Sequence, residues 1–180
     1  KVKIVNHDFW DYHLEEKSVN DNRNALLCFA GNLKKSDFIK ELPSSLVSAG
    51  FNCYGKGFAA DYKGEFKGEY DPETLAHVLD GKFGLVWDGK SAATCSGSFG
   101  KYLRINTSHK FGLYLASAKP VIVWKEGSIC DFVISHKIGF AVNSLYEIPE
   151  VLSQIDINVY NKMVENVMNI RKEVIDMDHL

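Results

Sequence analysis

Short apolar runs separated by polar or amphipathic stretches recur along the chain, and that rhythm predicts its elements. Asn24–Ala30 (NALLCFA), Gly50–Tyr54, Phe83–Trp87 (FGLVW) and Val121–Trp124 (VIVW) carry almost no polar side chains. Runs of this kind read as strands covered on both faces. Gly139–Val142 reads as a last short strand, and Tyr62–Tyr70, broken by Gly64 and Gly68, as an irregular or short extended piece. Between them, Ser36 caps a helix from Asp37 to about Ser48, which Pro43 kinks or splits. Asp71-Pro72-Glu73 opens a helix to about Leu79, with Asp at the N-cap and Pro at the first position. Phe111–Ala118 is helical and stops at Lys119-Pro120. A short helix over Gly127–Ser135, a capping box of Ser144 and Glu147, and a long amphipathic helix from about Asn158 to Ile175 complete the pattern. The small, glycine-rich segment Asp88–Lys101 is expected to be mobile.

Alternating strands and helices predict an α/β fold, a Rossmann-like and mostly parallel sheet with helices on both faces. Ligands of such sheets bind beyond the carboxyl ends of the strands. That rule selects the loops Gly31–Ser36, Tyr54–Gly57, Trp87–Gly89 and Trp124–Ser128, together with the basic loop Arg104–Lys110, which enters a helix at the same edge. Residues 1–23 read as a lead-in or interdomain segment, and residues 24–180 as the domain proper. The aromatic residues Phe9, Trp10 and Tyr12 are expected to pack at a seam with a further domain. The chain reads as a piece of a longer protein.

Composition narrows the function classes. Lys and Arg total 21 against 23 Asp and Glu, a net charge of −2. That balance argues against broad nucleic-acid binding, which needs a basic face. No apolar run reaches the length of a membrane span. The four cysteines form no C-x-x-C pair, and Cys28 and Cys53 fall inside apolar runs. This usage fits a reducing, cytoplasmic compartment.

The candidate chemistry is concentrated at the helix entered through Asn106-Thr107-Ser108-His109-Lys110. A helix opening behind Asn, Ser or Thr has unpaired amides and the positive end of its dipole at its first turn, where a phosphate fits. Two bases in that turn oppose the dipole by ~0.3–1 kcal/mol each, a conflict that a bound diphosphate would remove. The plainer alternative is an ordinary N-cap with two solvated bases. Gly55-Lys56-Gly57-Phe58-Ala59-Ala60 matches G-x-G-x-x-A, but it follows the second strand and no clean helix comes after it. A turn bringing backbone close to a ligand fits it better than a nicotinamide or flavin site does. Asp176-Met177-Asp178 reads as a solvated tail, and no histidine spacing suits zinc. No metal is expected.

Taken in order, the segments AGNLKKSDF, YGKG, FGLVWDG and YLRINTSHKFGLYLASAKPVIVW resemble the C-terminal, nucleotide-binding half of a GT-B glycosyltransferase, in particular the bacterial glucosyltransferase 3 and β-1,6-galactofuranosyltransferase group. The resemblance runs from roughly Asp8 to the C-terminus. It implies a hexosyltransferase, glucosyl or galactofuranosyl, that takes a UDP-sugar and acts on a glycan or glycoprotein acceptor of the bacterial cell surface. It further implies an acceptor-binding N-terminal half outside this chain and leaves a homo-oligomer open. By the same resemblance, Asn32 and Lys35 lie near the diphosphate and sugar, and Tyr54 against the uracil or its ribose. Asn106, Ser108, His109 and Lys110 sit where the diphosphate is received. The pair of glutamates that many such enzymes carry near this helix has no counterpart here, so no ribose-gripping residue and no catalytic residue carry over. Two rivals stand beside this reading: an NAD(P)-dependent nucleotide-sugar epimerase or oxidoreductase resting on Gly55–Ala60, and a non-catalytic interaction domain that keeps the fold.

Overall fold

The computed structural model describes Tyr12 and residues 19–175, with side chains to residue 172. Phe9, Trp10 and the Asp176-Met177-Asp178 tail lie outside the described residues. The strands are β1 (Leu27–Ala30), β2 (Phe51–Tyr54), β3 (Glu65–Gly68), β4 (Phe83–Val86), β5 (Val121–Trp124) and β6 (Gly139–Val142). The α-helices are α1 (Ser44–Ser48), α2 (Pro72–Val78), α3 (Gly97–Leu103), α4 (His109–Ala116), α5 (Cys130–His136), α6 (Ile148–Ser153) and α7 (Ile157–Ile175). All strand pairs are parallel, in the order β3-β2-β1-β4-β5-β6.

β1 is the hinge of this order, pairing Leu27 with both Phe51 of β2 and Phe83 of β4. From it the chain steps outward to β3, then crosses back to β4 and steps outward the other way. Right-handed crossovers in opposite directions place the connecting helices on opposite faces. Accordingly α1 rests on β2 and touches α6, whereas α4 rests on β4 and touches α2 and α7. β1, β2, β4 and β5 are buried along their whole length, as their unbroken apolar sequence requires. A crevice opens where the order reverses, between the carboxyl ends of β1 and β4.

Two local expectations change and one is met. The extended piece near residue 65 is a full edge strand, β3, whose exposed Glu65 pairs with the half-buried Lys67 at 2.6 Å and blunts the open edge. The split expected at Pro43 is present: the stretch from Asp37 is a 3₁₀ turn Asp37–Glu41 and α1, divided by Pro43 at the α1 N-cap. The other change concerns Asp88–Lys101, which is structured and bonded to the domain body. Its second half is α3, and its first half is tied down. Trp87 donates to Ser91 O at 3.0 Å, and Glu41 Oε2 accepts from Ser91 Oγ at 2.9 Å and Ala92 N at 3.0 Å. Ala92 O in turn accepts from Leu145 N at 2.9 Å and from Ser144 Oγ at 3.2 Å. Small residues are used here because backbone meets backbone: a Cβ on Gly100 would stand 2.2 Å from Cys95 O.

Ser144 accepts from Tyr146 N at 3.2 Å, while Glu147 Oε2 accepts from Asn143 N at 3.0 Å. Both side chains cap this turn, but each bond falls one residue before its capping-box partner, Tyr146 N in place of Glu147 N and Asn143 N in place of Ser144 N.

At the opposite, amino-terminal edge of the sheet, residues 20–23 are bound to the domain body. Asn20 Nδ2 donates to Ala76 O and Leu79 O, both at 2.9 Å. Arg23 reaches Tyr160 Oη at 3.0 Å and Ala118 O at 3.1 Å. Asn22 O accepts from the fully buried Lys119 Nζ at 2.8 Å.

Candidate functional site

A cleft of about 410 Å³ lies over the carboxyl ends of β1 and β4. Its floor is Ala30-Gly31 at the end of β1, and Asp88 follows β4. The start of α4, Thr107 to Lys110, forms one wall; Phe99 and Tyr102 of α3 form another; Tyr70, Pro72 and Leu75 close the side toward α2. Tyr12 also lines it, and burial pushes that phenol up to about 12.

α4 begins as its sequence requires. Ser108 is the extended N-cap; its hydroxyl accepts from Lys110 N at 3.3 Å, and its carbonyl accepts from Phe111 N at 2.9 Å. The first turn, which lines the cleft, carries no acidic side chain. The Lys110 ammonium is nevertheless paired: Nζ lies 2.7 Å from Asp88 Oδ2 and 5.5 Å from the centre of the Phe29 ring. Both side chains are largely enclosed, 14% exposed for Lys110 and 21% for Asp88. Gly31 leaves room for the lysine stem, since a Cβ there would meet Lys110 Cε at 3.0 Å. His109 is exposed at the mouth; partial burial, and secondarily the Lys110 charge, pull its pKa down and favour the neutral ring at pH 7. Lys35 approaches from the β1 side, its ammonium 4.6 Å from the centre of the Phe99 ring.

Of the residues the sequence singles out, Lys35, Ser108, His109 and Lys110 line this cleft. Asn32 and Tyr54 line an adjoining hollow of about 290 Å³, which shares Gly31, Tyr70 and Leu75 with the cleft. Asn32 Oδ1 accepts from Lys34 N at 3.2 Å and so caps a 3₁₀ turn, Leu33–Lys35. Tyr54 is buried; its hydroxyl donates to Val78 O at 3.3 Å and accepts from Asp80 N at 2.9 Å, and burial raises its pKa. Asn106 sits on the outer side of the α3–α4 loop. It bonds the Tyr102 hydroxyl and lines a small void with Ser108 and Trp124.

Sequence reasoning gives no role to Tyr70, Phe99 or Tyr102, and includes Asp88 and Thr107 only as members of loops at the ligand edge. Asp88 has a readable signal, an acid directly after a buried strand at the ligand edge. Phe99 and Tyr102 have none once α3 is taken for a loop. Tyr70 is 41% exposed and lines the cleft, which buried Tyr54 does not. The glycines of G-x-G-x-x-A serve the chain itself. Gly55 has φ +119°, and a Cβ on it would stand 2.0 Å from Gly31 O. The β1 and β2 loops meet there, with Gly31 N on Tyr54 O at 3.0 Å and Leu33 N on Lys56 O at 2.9 Å. Among the described residues, no group of three His, Cys, Asp or Glu could hold a metal ion.

Comparison with known proteins agrees with this architecture. The chain is 32% identical over 180 residues to the β-1,6-galactofuranosyltransferase WbbI of Escherichia coli (strain K12), covering 96% of this chain and 53% of that protein. It is 33% identical over 96 residues to Glucosyltransferase 3 of Streptococcus gordonii, covering 53% of this chain and 28% of the relative. The chain thus spans about half the length, 53%, of the E. coli relative. A crystal structure of Anabaena HepE in complex with UDP and glucose matches with a TM-score of 0.52 over 85% of this chain and 45% of that one, at 15% identity, a likeness of fold. Solved structures sharing the fold are GT-B glycosyltransferases. Residues 27–178 match the family model described as Glucosyltransferase 3-like, C-terminal domain, and the chain belongs to that family.

Proposed function

We propose that this chain is the donor-binding half of a GT-B hexosyltransferase and that its cleft holds a UDP-sugar. The observation that carries the reading is the placement of Lys110 and the open start of α4 on the wall of a 410 Å³ cleft at the point where the strand order reverses. The diphosphate lies against the first turn of α4, between Lys110 and Lys35. Charge-assisted bonds and fixed amides are suited to a leaving group that gains charge. In the transfer, the bond from the anomeric carbon to the β-phosphate oxygen breaks and the acceptor hydroxyl oxygen bonds that carbon. The hydroxyl proton is released, and UDP leaves with one more negative charge. Tyr70 offers the uracil a face, and the adjoining hollow with Asn32 and Tyr54 takes the ribose side. Asn106 steadies Tyr102 at the rim. The names of the E. coli and S. gordonii relatives support a galactofuranosyl or glucosyl group. The acceptor in this proposal is a glycan or glycoprotein, bound with an N-terminal half beyond this chain. The cations and amides of the cleft take the part a divalent metal plays elsewhere. Four free cysteines and the absence, among the described residues, of a helix able to cross a membrane support a cytoplasmic setting.

Neither rival has a comparable observation behind it. Gly55 and Gly57 are spent on chain packing, which leaves the NAD(P) reading without its motif. A non-catalytic domain gives no reason for an open cleft with two lysines at its wall.

Calorimetric titration of the chain with UDP in EDTA tests the proposal. UDP should bind, NADH should not, and Lys110→Ala should weaken UDP by ~10-fold or more, the worth of one charge-assisted bond. Uridine should bind wild type and variant alike. Loss of UDP binding in EDTA, or an equal weakening of uridine, would count against it.

A further inference from the structure

Asp88 is the one carboxylate among the described residues lining the cleft, and it sits on Lys110, one of the two lysines of that lining. Its backbone is held in place: it lies two residues beyond the end of β4, and the loop that follows is tied to Glu41 and Leu145. Lys110 is confined as well, between Asp88, the Phe29 ring and the backbone of Gly31. A phosphate that reaches the two remaining ammonium hydrogens must therefore also approach the Asp88 carboxylate.

We propose that Asp88 sets the charge selectivity of the cleft, favouring a diphosphate esterified at both ends over the more highly charged free diphosphate and triphosphate. The inference rests on the UDP-sugar reading and deepens it. Lys110 alone would attract every phosphate, and most strongly the one with most charge. Paired with Asp88 it still supplies hydrogen bonds, while the net charge it presents is small. A UDP-sugar carries one negative charge fewer than UDP, so it is repelled less. The UDP formed by transfer gains that charge beside a fixed carboxylate, which promotes its departure. Asp88 thus acts on the order of affinities among phosphates, a specificity role distinct from bonding the ligand.

The test is a calorimetric series on the full chain, wild type and Asp88→Asn, with uridine, UMP, UDP and UTP as probes. Wild-type affinity should not rise from UDP to UTP. In Asp88→Asn, uridine should be unaffected. The gain in affinity should grow along the series, from roughly threefold at UMP to tenfold or more at UTP, and shrink as salt is added. Asp88→Glu should keep the wild-type order. A gain equal for all four probes, no gain, or a loss on the phosphates would overturn the role. So would wild-type protein that binds UTP tenfold more tightly than UDP, a measurement that needs no variant. If wild type binds uridine nucleotides not at all, the reading of the cleft fails first and the role of Asp88 with it.

Discussion

At the scale of single residues, buried cations are handled in two ways in this fold. Lys110 opposes the α4 dipole, and the conflict is relieved by Asp88 at 2.7 Å without any ligand. Lys119 makes no ion pair within 4.0 Å among the described residues, although Asp80 and Asp21 act on it from farther away. It is fully buried, its Nζ donates to Asn22 O at 2.8 Å, and desolvation pulls its pKa from 10.5 to about 8. Below pH 8 the ammonium is charged in both folded and unfolded chains, and its burial costs stability in full. Between pH 8 and 10.5 the folded state gives up the proton first, so the unfolded state binds more protons and stability from this group rises with pH. The buried thiols of Cys28, Cys53 and Cys95, raised to about 12, act the opposite way as pH climbs past 9. The group is therefore isolated by difference. Lys119→Met should stabilise the chain at pH 7 by an amount on the order of 3 kcal/mol at most, and the advantage should shrink toward pH 10.5. Urea unfolding of both proteins across this range is the measurement. A constant difference would show that Lys119 does not titrate in the folded state.

At the scale of elements, α4 controls both ends of the site. Its start receives the ligand, and its C-terminus turns the chain into β5 through a Schellman motif. Ala118 N donates to Leu115 O at 3.0 Å, and Lys119 N to Tyr114 O at 2.9 Å. That motif needs a left-handed residue, and Ala118 provides it at φ +55°. An L-residue with a Cβ pays roughly 1–2 kcal/mol for this conformation, and glycine does not. Ala118→Gly relieves that strain but frees the unfolded chain and removes a fully buried methyl worth ~0.8 kcal/mol, so the net change should stay within ~0.5 kcal/mol, far milder than an ordinary core truncation. The shift in urea midpoint at unchanged slope would report it, and a loss of ~2 kcal/mol or more would contradict it. The reverse experiment exists at Gly55: with 2.0 Å to Gly31 O, an added Cβ must push the β1 and β2 loops apart.

For the whole molecule, the strand order β3-β2-β1-β4-β5-β6 draws together segments far apart in sequence. Lys35, Tyr70, Asp88, Phe99 and Lys110 meet at one edge because β1 and β4 are neighbours there. A ligand seated among three separate connections, β1–β2, β3–β4 and β4–β5, stabilises the fold that assembles them. UDP at ~100 times its dissociation constant should add ~2.7 kcal/mol to unfolding. A melting temperature that does not move with UDP, when calorimetry shows binding, would place the ligand elsewhere than on the folded cleft.

Much of this was legible in the residues alone. Leu27–Ala30, Phe51–Tyr54, Phe83–Val86 and Val121–Trp124 are short, apolar and bounded by turn residues, so they can only be buried strands; Asp71-Pro72 and Pro120 mark helix ends by covalent geometry. The parallel α/β class and the ligand edge follow from that alternation, as does the capped start of α4. What tertiary structure alone decided is which long-range neighbour each polar group meets. The Tyr54 hydroxyl is engaged by Asp80 and Val78, far along the chain, while Asn32 Oδ1 is taken locally by Lys34 N. Residues 88–101 look loose because their stability comes from Glu41, Ser144 and Leu145, about fifty residues away on either side. Asp88 reaches Lys110 across 22 positions of sequence, a distance that no local periodicity encodes. Propensity and patterning act over a turn or a strand, whereas the charge balance of the cleft depends on how the crossovers close.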